Sequence, residues 1–106
     1  MPKKGGDFVV ITTSIFSLGK LVTTAGVNVK LIEDTEFSRF VSESLVRHAK
    51  GDWGDMSQED KGENDLALKA GNLRIFSAYE KPGLLKIWII TEADRSVTTI
   101  LFPDEY

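Results

Sequence analysis

The closing third of the chain limits the fold most. Three runs there, "LRIFSAYE" from Leu73, "LLKIWIIT" from Leu84 and "VTTILF" from Val97, are rich in β-branched and aromatic residues, which favour a pleated, half-buried backbone. "KPGL" lies between the first two, with Pro and Gly at the central positions of a type II turn, and "ADRS" lies between the second and third. Strands joined by connections this short have to be antiparallel neighbours, so the pattern predicts a three-stranded meander. With turns over Lys81–Leu84 and Ala93–Ser96, Phe76 falls opposite Ile89, Ala78 opposite Ile87 and Arg74 opposite Thr91. In the second pair Ile89 falls opposite Ile100 and Thr91 opposite Thr98. One face then carries Phe76, Ala78, Ile87, Ile89, Ile100 and Phe102, with Arg74, Thr91 and Thr98 at its edge. A slip of one residue would exchange the faces.

Two helices precede these strands. Asp34 or Thr35 can cap the first, after which Phe37, Phe40, Val41, Ser44, Leu45 and His48 recur at three- and four-residue spacing until Gly51. Ser57 can cap the second, with Asp60 in a capping-box relation and acidic residues in the first turns, where the helix dipole favours them. Gly71 ends it. Before the helices, "FVVITT" and "LVTT" read as two short extended pieces, and Met1–Gly6 as a loose tail. The expectation is a single α+β domain over residues 1–106, two helices followed by the meander. The helix-to-helix corner, His48 to Asp55, should pack near the Arg74, Thr91 and Thr98 edge.

The charge is uneven. Residues 1–50 carry seven Lys/Arg against five Asp/Glu, and residues 51–106 six against eleven. Non-specific nucleic-acid binding depends on neutralising phosphates, so the acidic half argues against it. No cysteine is present, which removes disulfides and thiolate chemistry and fits a reducing compartment. The lysines before the first apolar run imitate a signal peptide. Asp7, the interspersed serines and threonines, and Lys20 end the imitation, so the expected location is cytoplasmic, with no membrane partner.

The chemistry-bearing candidates gather around the one histidine. His48 titrates near neutrality when unperturbed and is the natural general acid or base, or a helix C-terminal residue bonded to a carbonyl. Asp52 in "GDWG" can orient a histidine, and Trp53 can stack on a base or sugar or else plug the core. Glu92 and Arg95 at the hairpin tip, with Arg74 and Thr98 nearby, form a mixed-charge rim. His48 with Arg74, Arg95 and Thr98 would suit metal-independent RNA cleavage, in which one group moves a proton and arginines stabilise charge on phosphate. The alternative for the rim is a solvated turn with surface ion pairs. Phosphate-loop, dinucleotide, zinc-protease and serine-hydrolase motifs are all missing. The expectation is no cofactor and no metal.

Taken in order, "LGKLVTT", "RHAKGDWGD", "RIFSAYE" and "WIITEADRSVTTILFPDEY" resemble a family of small bacterial proteins found around plasmids and other mobile elements, often labelled plasmid-related. The resemblance covers roughly residues 17–106. It implies that His48, Gly51, Asp52, Trp53, Gly54, Thr91, Glu92, Arg95 and Tyr106 belong to the family's pattern, and it supplies context without a mechanism. Helices followed by a meander are also similar in layout to barnase- and RelE-like ribonucleases.

Two functions follow as expectations. One is a non-enzymatic accessory protein that binds another protein through the acidic helix or through Asp52, Trp53 and Glu92. The other is a small ribonuclease acting on RNA with His48, Arg74 and Arg95. "FPDEY" at the C-terminus reads as an exposed peptide or as the end of an edge strand.

Overall fold

The computed structural model describes residues 14–106, and its elements are β1 (Lys20–Thr23), α1 (Ala25–Glu33), α2 (Thr35–Ala49), α3 (Gln58–Ala70), β2 (Ile75–Tyr79), β3 (Ile87–Thr91) and β4 (Val97–Leu101). A 3-10 turn, Pro103–Glu105, follows. The expected tail over Met1–Gly6 and the extended piece "FVVITT" lie outside the described residues. The class is α+β. Its composition among the described residues corrects the expectation, with three helices in place of two and a four-stranded mixed sheet in place of a three-stranded antiparallel one.

The strand order is β1-β4-β3-β2. β2, β3 and β4 form the meander, while β1 adds to the outside of β4 in parallel, Leu21 beside Thr98 and Thr23 beside Ile100. Parallel neighbours need a crossover connection, and here the helices provide it. No short turn signals such a pairing, so β1 reads in sequence as an isolated extended piece.

The first helix, α1, leaves little trace in the sequence for a different reason. "AGVNVKLIE" contains a glycine, two valines and an isoleucine, all poorer helix formers than alanine. Only Val27 is fully buried, and Val29 and Ile32 face solvent, so no clear stripe marks it. Its N-terminus is held from the far end of the chain. The Glu105 carboxylate accepts from the Gly26 backbone N–H at 2.8 Å and from the Thr24 hydroxyl at 2.5 Å. "FPDEY" therefore contributes an anion at a helix N-terminus, where the dipole favours one. Those bonds, the Thr24 hydroxyl's first, hold the Glu105 carboxyl below its ordinary range.

α2 and α3 follow the sequence closely. Asp34 caps α2 by accepting from the Phe37 N–H at 3.1 Å, and every residue of the expected stripe is buried. Ser57 caps α3 by accepting from the Asp60 N–H at 3.1 Å, and Gly71 closes it. The main core joins Val27, Phe37, Phe40, Val41 and Leu45 of the helices to Tyr79, Ile87, Ile89 and Ile100 of the sheet.

The register of the meander holds in one half and slips in the other. Ile89 faces Ile100 and Thr91 faces Thr98, as the second turn requires. Between β2 and β3, however, Phe76 pairs with Ile90, Ala78 with Trp88 and Ile75 with Thr91. The "KPGL" turn does form, with Leu84 N–H donating to the Lys81 carbonyl at 3.0 Å and Gly83 at a φ of 85°. It sits inside a longer connection, Glu80 to Lys86, and the odd residue moves β2 by one position. Phe76 and Ala78 consequently leave the helix-covered face, and Ile75, Ser77 and Tyr79 take their places. Arg74 precedes the strand and is exposed.

Candidate functional site

α2 delivers His48 to the sheet one turn beyond Ser44 and Leu45, and burial there is complete. Its Nδ1 lies 2.5 Å from the Ser77 hydroxyl of β2, and its Nε2 lies 2.9 Å from the Thr91 hydroxyl of β3. Thr91 in turn lies 2.7 Å from the Thr98 hydroxyl of β4, and Thr98 donates to the Leu18 carbonyl at 2.6 Å. Each hydroxyl has one proton, so this chain has a direction. Thr98 spends its proton on Leu18 and must accept from Thr91. Thr91 then accepts from His48, which fixes the proton on Nε2 and leaves Nδ1 to accept from Ser77. The histidine is a neutral imidazole with both nitrogens committed.

Its surroundings keep it neutral. The Phe16 and Trp53 rings stand edge-on to the imidazole, with centroids 5.3 Å and 5.9 Å away. Burial pushes its pKa down to about 3, with no carboxylate among the described residues to compensate an imidazolium there. In effect His48 is a core residue that ties β2 to β3, and Thr91 extends the chain to β4.

The other sequence candidates divide among separate duties. Asp52 turns away from His48 and takes a two-pronged bond from Arg47, at 2.7 and 3.1 Å, while also accepting from the Gly54 N–H at 3.2 Å. That bond with Arg47 holds the Asp52 carboxyl below its usual range and raises the guanidinium. Trp53 is buried, its indole N–H donating to Asp65 at 3.1 Å, so it plugs the smaller cluster with Ala67 and Ile75.

Arg95 occupies the left-handed backbone region at a φ of 63°. Its guanidinium donates to the carbonyls of Leu73 at 2.6 Å and Ala67 at 3.2 Å, fastening the C-terminal part of α3 to the start of β2. Arg74 and Glu92 are paired at 3.7 Å, and Arg74 also donates to the Tyr106 hydroxyl at 2.7 Å. Thr98 belongs to the buried chain. The structure thus brings together His48, Thr91 and Thr98, and places Arg74, Glu92 and Asp52 elsewhere at the surface.

The corner between α2 and α3 has its own task. It runs along the outer edge of β2, where Asp55 N–H donates to the Ala78 carbonyl at 2.7 Å and Ala78 N–H to the Trp53 carbonyl at 3.3 Å. A Cβ on Gly54, at a φ of 79°, would lie 2.1 Å from that Ala78 carbonyl. Only glycine permits so close an approach. One residue pair further along, the Asn64 amide of α3 reproduces a strand neighbour. It donates to the Phe76 carbonyl at 2.6 Å and accepts from its N–H at 3.1 Å. The exposed edge of a sheet is a template for unwanted pairing, and here it is covered.

Sequence reasoning missed the opposite face of the sheet. Phe76 and Trp88 lie there with ring centroids 4.8 Å apart, and Tyr106 stands edge-on to Trp88 at 5.7 Å. Arg74 lies over the Tyr106 ring at 5.6 Å. The alternation of Ile87, Trp88 and Ile89 carried a signal for Trp88, but the expected register had assigned Phe76 to the interior. Beside this aromatic shelf, a groove of about 550 Å³ runs between α3 and the start of β2, with Leu66, Leu73 and Phe76 on its walls. Among the described residues no group of three or more His, Cys, Asp or Glu side chains is arranged to hold a metal ion, and no helix is long and apolar enough to cross a membrane. Compared with known proteins, the chain matches no family model, no curated protein and no solved structure.

Proposed function

We propose that this protein is a cytoplasmic accessory protein of a mobile genetic element and acts by binding another protein, without catalysis. The mobile-element setting rests on the resemblance of residues 17–106 to plasmid-associated proteins. The observation that carries the binding reading is the commitment of the chain's one histidine, buried and with both ring nitrogens engaged by Ser77 and Thr91. A ribonuclease using His48 with Arg74 and Arg95 would need the imidazole open to a phosphate cleft and near a guanidinium. Instead Arg95 is occupied by carbonyls and Arg74 by Tyr106. The exposed acidic residues of α3 support a protein partner over RNA.

Two experiments test this. Metal-free incubation of the wild type with varied RNAs should give no cleavage, and cleavage abolished by His48→Gln in a folded variant would establish the ribonuclease instead. In parallel, cross-linking in the native host should capture a protein whose recovery falls when the acidic residues of α3 are reversed.

A further inference from the structure

The geometry points to the groove between α3 and β2, continued onto the aromatic shelf, as the docking site for a lysine- or arginine-bearing apolar segment of a partner protein. This deepens the protein-binding reading and rests on it.

The apolar part of the site is out of place for an ordinary surface. Leu66 is 58% exposed and Leu73 is 44% exposed, and both line the groove together with Phe76. Phe76 also packs on Trp88, and Trp88 on Tyr106, so groove and shelf form one surface. Contiguous apolar surface rimmed by charge is typical of interaction sites.

Charge selects the occupant. Asp60 and Glu63 stand on the α3 wall of the groove, both exposed, and among the described residues neither forms an ion pair. Among the described residues the one cation lining the groove, Arg74, is already shared between Glu92 and Tyr106, which leaves the two carboxylates as its uncompensated charge. A segment with apolar side chains toward the Leu66/Leu73 walls and a cationic one toward Asp60 and Glu63 satisfies both features. A nucleic-acid strand could stack on Trp88 and Tyr106, but its phosphates would meet those two carboxylates. Complementary rim charges act mainly on specificity and association rate, while the apolar centre supplies most of the affinity.

The test selects short random peptides displayed on phage against the whole protein, then measures the enriched peptides in solution by fluorescence anisotropy. Enriched sequences should combine Lys or Arg with Leu, Ile or aromatic residues. Their affinity should fall roughly tenfold or more in Asp60→Lys/Glu63→Lys and in Leu66→Ser/Leu73→Ser, and should hold in Glu43→Lys, a charge reversal on α2. All of these positions are exposed, and circular dichroism of each variant checks that the fold is kept. Absence of enrichment, or peptides that bind every variant alike, overturns the proposal. An oligouridylate probe that displaces the peptides and binds more tightly would assign the shelf to single-stranded nucleic acid. Self-association lost in Leu66→Ser/Leu73→Ser would assign it to a second copy. Should the cross-linked host protein survive Asp60→Lys/Glu63→Lys and be lost only when Glu59 and Asp65 are reversed as well, the groove is wrong and the protein-binding reading stands. Should no host protein be captured at all, that broader reading fails.

Discussion

The two faces of the sheet treat polar and aromatic groups in opposite ways. On the helix-covered face, Ser77, His48, Thr91 and Thr98 form a buried chain in which every proton has one destination. On the other, Phe76, Trp88 and Tyr106 pack side by side with part of their surface in water, next to carboxylates that form no ion pair among the described residues. A buried polar chain is costly unless complete, and complete it specifies one arrangement of the strands. Exposed aromatic surface does little for the isolated fold and is available to a partner. The residue type most often catalytic therefore serves architecture here, and residues usually assigned to the core form the accessible surface.

The largest effects should come from breaking the buried chain. His48→Ala leaves a cavity and two hydroxyls without their partner, and should cost about 4 kcal/mol in urea unfolding. Gly54→Ala follows, at about 3 kcal/mol, because its methyl group meets the Ala78 carbonyl and its backbone angle disfavours any side chain. Wild-type stability close to Gly54→Ala would mean that the corner does not lie against β2.

Acid should expose the chain more gently. The unfolded protein binds a proton at His48 near the ordinary value of 6.5, whereas the native protein resists until about 3. The unfolded state holds the extra proton in that window, so the stability contribution is complete above it and declines as pH falls through it. Between pH 6.5 and about 5 the loss should be about 2 kcal/mol, and His48→Gln should flatten the slope. Asp52 and Glu105, held below the usual carboxylate range, add a further loss in more acidic solution. A slope unchanged in His48→Gln would contradict the neutral, buried imidazole.

Smaller effects belong to the edge and the open face. Asn64→Ala removes both bonds to Phe76 and should cost about 1.5 kcal/mol, with faster amide exchange at Phe76 as the local signature. Leu73→Ser should change stability by no more than about 0.5 kcal/mol. A large loss there would show that the groove wall is structural and would erase the contrast between the faces.

Much of α2 was legible because its stripe and both of its ends are local signals. The same applies to Ser57 and Gly71 around α3, and to the β3–β4 register, which one tight turn fixes. Three features were not legible. The β2–β3 register depends on a single extra residue in the connection between them. β1 pairs with a strand more than seventy residues away in sequence, and α1 takes its cap from Glu105. None of these leaves a periodic trace in the chain.

The candidate site divides along the same line. The sequence placed His48 on the apolar stripe and Thr91 beside Thr98, which is enough to bring these groups to one part of the core. Whether His48 met water, a carboxylate or hydroxyls depended on which residue of β2 arrived opposite it. With the register one residue from the expected one, Ser77 meets the imidazole and Phe76 turns outward. Local spacing determined the helices, the turns and the face of α2 that is buried. Only the tertiary structure decided the register, the neutral histidine and the open aromatic face, because strand side chains alternate at every residue and long-range pairing selects between the two alternatives.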